Sequence, residues 1–217
     1  MTNILAIETS TDNCSVSIGK GPEIFNFHEN LPKQHTERLF EVINDLLNES
    51  GLAFSELNAV AVGVGPGSYT GIRLSCAIAQ GIAFSQSIKC ISLSSLELLS
   101  VEANQRFLVE DIVAISEENL GNIYIVESNF RDGKIDSKFK FISSEDFNFL
   151  DFPENYHFVG DGCSAFPEIK NILPDAFPKA ENLLKIGQQR FNNNQLIEPE
   201  EILPIYLNDE NSWKKLK

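Results

Sequence analysis

The stretch Asn3-Ile-Leu-Ala-Ile-Glu8, the polar turn Thr9-Ser-Thr-Asp-Asn13 and the alternating Cys14-Ser-Val-Ser-Ile18 have an echo 108 residues further on. There Ile112-Val-Ala-Ile-Ser116, a turn from Glu117 to Gly121 and Asn122-Ile-Tyr-Ile-Val126 again read as strand, turn and strand. In a chain of 217 residues that offset is half the length. A strand–turn–strand unit recurring at half the chain length is the trace of a duplicated α/β unit, and it restricts the fold more than any composition does.

The intervening sequence fills in the unit. Phe25-Asn-Phe-His-Glu29 alternates as a third strand, and from Gln34 to Glu49 the apolar Leu39, Val42, Ile43, Leu46 and Leu47 recur at helical spacing. A buried-type strand from Ala59 to Val64, a helix from about Thr70 to Phe84, the strand Cys90-Ile-Ser-Leu93 and a helix from Ser94 or Ser95 follow. In the second half, Lys138-Phe-Lys-Phe-Ile142 and Tyr156-His-Phe-Val159 read as strands, with helices expected near Ser164 to Leu173 and Ala180 to Asn192. Alternating strands and helices imply an α/β sheet protein. The boundary is expected around Glu102 to Gln105, giving an N-terminal α/β lobe of residues 1–104 and a C-terminal α/β lobe and tail of residues 105–217.

Charge narrows the partners. A net charge of −14 and a pI near 4.6 give a surface potential that repels nucleic-acid phosphates, so the chain alone is not expected to bind RNA. The basic end Trp213-Lys-Lys-Leu-Lys217 reads as a solubilising tail. No apolar run is long enough to span a bilayer and Met1-Thr-Asn opens no basic-then-apolar leader, so a cytoplasmic protein without membrane contact is expected. Cys14, Cys76, Cys90 and Cys163 form no CxxC pair and read as small core residues.

The segment Gly63-Val-Gly-Pro-Gly-Ser-Tyr-Thr-Gly-Ile-Arg73 is rich in glycine and follows an apolar strand, which raises the question of phosphate binding. A Walker loop ends in Gly-Lys-Ser/Thr, whereas Gly71 is followed by Ile72 and Arg73. A dinucleotide fingerprint fails as well, because Ser68 stands where glycine is needed. What remains is a tight strand-to-helix turn, with Pro66 fixing one φ and Ser68 or Thr70 capping the helix, favoured over an anion site.

Together "ILAIETSTDNCSVSI", "GVGPGSYTGIRLS" and "LPIYLNDENSWKK" resemble the TsaB (YeaZ) family nearly end to end, although relatives usually show Arg where Asn208 stands. The resemblance implies an actin-like, Hsp70-like and sugar-kinase-like fold of two duplicated α/β lobes. It also implies a noncatalytic role in installing the threonylcarbamoyl group on the adenosine beside the anticodon of tRNAs that read codons beginning with A. The implied partners are a TsaD-type paralogue in a heterodimer, which carries the metal and the transfer chemistry, and a TsaE-type ATPase. Threonylcarbamoyl-adenylate comes from TsaC and tRNA is met only through the complex. No cofactor of its own is implied, ATP and metal belonging to partner subunits, and a homodimer is an expectation for the isolated chain.

Metal-assisted members of this superfamily carry two histidines one helical turn apart, but His28, His35 and His157 are far apart in sequence, and His35 reads as a helix-start residue. No serine is selected by a local partner as a peptidase nucleophile, so a glycopeptidase rests on fold likeness alone. The rival function is a stand-alone, ATP-dependent sugar-type kinase, with Glu8, Thr9 and Ser10 in one turn and Gly160, Asp161 and Gly162 in another as nucleotide-binding candidates. Against it, Thr9 and Ser10 carry side chains where backbone should approach phosphate, and Gly-Asp-Gly turns are common without a ligand. No catalytic residue and no metal ligand is assigned. A partner-binding face is expected on the two N-terminal helices, from Phe40, Ile43 and Leu47 on the first and Tyr69, Arg73, Ser75, Cys76, Ala79 and Ala83 on the second.

Overall fold

The computed structural model describes residues 2–32, 34–118 and 121–205. Asn208 and the basic end 213–217 lie outside the described residues. The described residues divide into two compact units, the first made of residues 2–95 and 179–205 and the second of residues 96–178. The expected single break between 104 and 105 is thus replaced by two crossings. The boundary region 102–105 lies inside a helix, and the chain returns to the first unit after Pro178.

The first unit is built on β1 (Asn3–Glu8), β2 (Asn13–Lys20), β3 (Glu23–Asn30), β4 (Ala59–Gly63) and β5 (Lys89–Leu93), in the order β3-β2-β1-β4-β5. The first three strands form an antiparallel meander, and β4 and β5 join in parallel. β1 and β4 are apolar on both faces and completely buried beyond Asn3, as central parallel strands must be. Helix α1 (His35–Ser50) packs on β2 and β3 and against α2 (Tyr69–Gln86), which lies on β4, while α4 (Ala180–Asn192) packs on β1, β2 and β4. The Ser15 hydroxyl accepts the amide of Ala180 at 2.9 Å, fixing the point where the chain re-enters this unit. Beyond α4 a strap crosses the open side of β5: Cys90 and Ile197 exchange backbone hydrogen bonds at 2.9 Å, and Gln80 Nε2 donates to the carbonyls of Pro199 and Ile202 at 3.1 Å. This closes an edge that would otherwise offer unpaired backbone groups.

The second unit carries β6 (Asp111–Glu118), β7 (Asn122–Arg131), β8 (Lys134–Ser143) and β9 (His157–Val159) in the order β8-β7-β6-β9, with β9 parallel to β6. Helix α3 (Ser95–Phe107) begins at the last residue of the first unit and runs into the second. From Asn3 to Asp111, where β1 and β6 start, the offset is the same 108 residues, and each lies at the inner end of its antiparallel meander and pairs on its other side with a parallel strand. Between β8 and β9 no α-helix forms. Two 3-10 turns, Ser144–Asp146 and Phe149–Asp151, lay Phe147, Phe149 and Phe152 over a core of Val113, Ile115, Ile123, Ile125 and Phe158. The helix expected near Ser164 to Leu173 is absent. A 3-10 turn ends at Ala165, Pro167 follows, and Ile172 bridges to Phe158 instead, consistent with proline's missing amide donor.

Candidate functional site

The loop joining β4 to α2 is built against the turn that follows β1. Ser68 caps α2, its Oγ accepting the amide of Gly71 at 3.3 Å. Its own amide donates to the Ser10 carbonyl at 2.6 Å. Gly67 has φ +145°, and a Cβ there would overlap the Ser10 carbonyl oxygen. A Cβ on Gly71 would overlap the Thr9 carbonyl oxygen, and Thr9 Oγ1 donates to the Gly71 carbonyl at 2.8 Å. Three glycines therefore serve close backbone approach, the third being Gly63, whose Cβ would overlap the Glu8 carboxylate.

Glu8 itself is buried. Its Oε1 accepts the amide of Ser10 at 2.6 Å, and its Oε2 accepts the Ser95 hydroxyl at 2.8 Å. Ser95 Oγ in turn accepts the amide of Gly65 at 3.1 Å. Burial pushes the Glu8 carboxyl above its usual range, while the hydrogen bonds from Ser10 and Ser95 pull it back. The loop amides of Val64, Gly65, Ser68 and Gly71 are thus all engaged within the unit. Carbonyl oxygens, not amide hydrogens, face Gly67 and Gly71, and these would repel a phosphate oxygen.

The second candidate turn has the same construction. Gly160, at φ +109°, would place a Cβ on the Ile115 carbonyl, and Gly162 would meet Ile115 and the Glu117 amide. Asp161 accepts the amide of Gly162 at 2.9 Å. The two sets of nucleotide candidates, Glu8, Thr9 and Ser10 against Gly160, Asp161 and Gly162, fall in different units, and each is tied up inside its own.

The expected docking residues separate into two groups. Ile43, Leu47, Ser75, Cys76, Ala79 and Ala83 are buried within the first unit, so their assignment to a partner surface is corrected: they seat α1 and α2 on their own sheet. Phe40, Tyr69 and Arg73 do face outward, Phe40 at 52% and Tyr69 at 60% exposure, with the Arg73 guanidinium 3.5 Å above the Tyr69 ring. The outward strip of α2 is Tyr69, Arg73, Ala77 and Gly81, with Phe84 beside it at 52% exposure. Phe40 stacks on Phe54, ring centroids 6.2 Å apart, and the two join Ile78, Gly81 and Ile82 around a groove of about 310 Å³. Phe54, Ala77, Ile78, Gly81 and Phe84 were not singled out from sequence, where a glycine in mid-helix was the available signal.

His35 starts α1 as expected, its Nε2 2.9 Å from the Thr11 carbonyl. Among the described residues no cluster of three or more His, Cys, Asp or Glu could hold a metal ion, and no helix is long and apolar enough to cross a membrane. Burial pushes the thiol of Cys14 up to about 11 and those of Cys76, Cys90 and Cys163 up to about 12, as core residues require.

These features define an α/β protein whose glycine loops are packed by its own backbone and whose outward face is helical. The profile of the family described as TsaD, tRNA N6-adenosine threonylcarbamoyltransferase, matches residues 29–111, which span α1, the glycine loop and α2. The chain is 32% identical to the tRNA threonylcarbamoyladenosine biosynthesis protein TsaB of Haemophilus influenzae, over 98% of this chain and 96% of that one. It is 30% identical to TsaB of Escherichia coli, over 98% and 97%. A solved structure from Pseudomonas aeruginosa, described as an uncharacterized protein with similarity to peptidase YEAZ, superposes with a TM-score of 0.87 at 26% identity, covering 96% of this chain and all of that one. The chain belongs to the TsaB family.

Proposed function

We propose that this chain is a noncatalytic subunit in tRNA threonylcarbamoyladenosine biosynthesis, docking through the outward face of α1 and α2 onto a TsaD-type paralogue in the cytoplasm. The observation that carries the noncatalytic reading is the glycine loop filled by Thr9 and Ser10, with the amides of Val64, Gly65, Ser68 and Gly71 engaged inside the unit. A stand-alone kinase finds no support in either candidate turn. The related strand order of the two sheets, an antiparallel meander extended by two parallel strands in the first and by one in the second, supports a duplicated actin-like, Hsp70-like and sugar-kinase-like fold. In this reading ATP and metal belong to the TsaD-type and TsaE-type subunits, tRNA is reached only through the assembly, and the docking face serves a second copy of the chain when it is alone.

Reconstitution tests the proposal. TsaD-, TsaE- and TsaC-type proteins, ATP, bicarbonate, threonine and tRNA are combined with and without this chain. Modification is expected to depend on it, and equal modification in its absence overturns the reading.

A further inference from the structure

The Glu8 carboxylate is linked to both arms of the glycine loop through Ser95 and Ser10. Toward the β4 side, its Oε2 holds Ser95, which accepts the Gly65 amide through its hydroxyl and returns its own amide to the Gly65 carbonyl at 2.7 Å. Toward the helix, its Oε1 holds the Ser10 amide, and the Ser10 carbonyl receives the amide of Ser68, the cap of α2. Gly63 lacks the side chain that would displace the carboxylate. A buried carboxylate accepting directed N–H and O–H bonds fixes its donors more firmly than neutral partners would.

We propose that Glu8 is a positioning residue for the docking face: through Ser95 and Ser10 its carboxylate sets the path of residues 63–68, and so the angle at which α2 presents Tyr69 and Arg73 to a protein partner. The partner part of this inference rests on the reading under Proposed function. It assigns no contact between Glu8 and the partner. A buried residue would control an interface by choosing the launch angle of the helix that forms it.

The test uses the full chain and the variants Glu8→Ala, Glu8→Gln and Ser95→Ala, with affinity for the TsaD-type subunit and amide hydrogen exchange as readouts. Glu8→Ala is expected to weaken binding at least tenfold and to speed exchange at Gly65 and Ser68 by a similar factor. Ser95→Ala, which removes one hydroxyl, is expected to speed exchange at Gly65 more than at Ser68, and it stands in should Glu8→Ala fail to fold. Glu8→Gln keeps an acceptor for the Ser10 amide and is expected to restore most of the binding. Wild-type affinity in both Glu8→Ala and Ser95→Ala overturns the assignment. If the wild-type chain does not bind the TsaD-type subunit at all, the functional reading falls, while unchanged exchange at Gly65 and Ser68 in the variants independently overturns the positioning role.

Discussion

Gly67 and Gly81 sit on the same loop-and-helix segment and ask opposite things of a side chain. Gly67 has φ +145° and the Ser10 carbonyl against its Cα, so Gly67→Val combines backbone strain with overpacking. A loss of about 3 kcal/mol or more is expected in urea unfolding. Gly81 has open space where its Cβ would be and lies exposed in mid-helix, so Gly81→Ala is expected to stabilise the fold by about 0.5–1 kcal/mol. The same methyl narrows the groove beside Phe40, so that variant should bind the TsaD-type subunit less well while unfolding later. The glycines were legible in the sequence as places of unusual backbone or close approach, but what approaches them was not. A phosphate and a carbonyl oxygen ask for the same missing Cβ, and only the register between the β1 turn and the loop tells them apart. Glu8 gives this region a pH signature. Because burial raises its carboxyl above the usual 4.5, the folded chain keeps this proton over a range where the unfolded chain has released it. Bound protons then favour the fold, so the contribution of Glu8 to stability is expected to fall as pH rises from about 4.5 toward the folded value and to stay flat above it. Unfolding curves of wild type and Glu8→Gln across that range check the sign, since the variant should lack this slope.

Most elements could be read from the order of residues, and α2 shows where that stops. Its ends fell within two residues of expectation, Tyr69–Gln86 against Thr70 to Phe84, yet of the residues assigned to a partner only Tyr69 and Arg73 face outward, while Ser75, Cys76, Ala79 and Ala83 are buried. A helix rich in Ala, Ile, Gly and Ser all round has little amphipathic contrast, so periodicity finds the helix but cannot orient it. α1 has that contrast, and its Leu39, Val42, Ile43, Leu46 and Leu47 are all buried as one face. In the second unit the strands were legible, but the tie between them was not. Asp111, buried at the start of β6, accepts Asn129 Nδ2 at 2.8 Å and Arg131 Nη2 at 2.6 Å from β7, and also Asn155 from the approach to β9. No local spacing links positions 111, 129 and 155, because the meander alone brings them together. Asp111→Ala strands these donors and is expected to cost about 2 kcal/mol in chemical unfolding. Glu110→Ala, which removes only the exposed pairing to Arg131 at 3.1 Å, should change stability by less than about 1 kcal/mol.

At the scale of the molecule, the net charge of −14 argues that RNA is not held by this chain alone. A filter-binding titration with tRNA near physiological salt is expected to show no saturation below about 1 µM, and tight saturable binding would place the RNA differently from the reading above. Half-length repetition pointed to a chain of two units, and it also misled. It suggested a cut at 104/105, whereas residues 179–205 return to complete the first unit. A fragment of residues 1–104 lacks α4 and the strap along β5, and should fail to give a cooperative unfolding transition. The return crossing also imposes an order on the nascent chain. At a synthesis rate of about 5–20 residues per second, β1 leaves the ribosome long before the α4 that covers it, and all of 96–178 is made in between. The inserted unit can therefore settle its own core first. The segment translated earliest is finished last, and Ile4, Leu5 and Ile7 spend that interval as the apolar surface for a chaperone to guard.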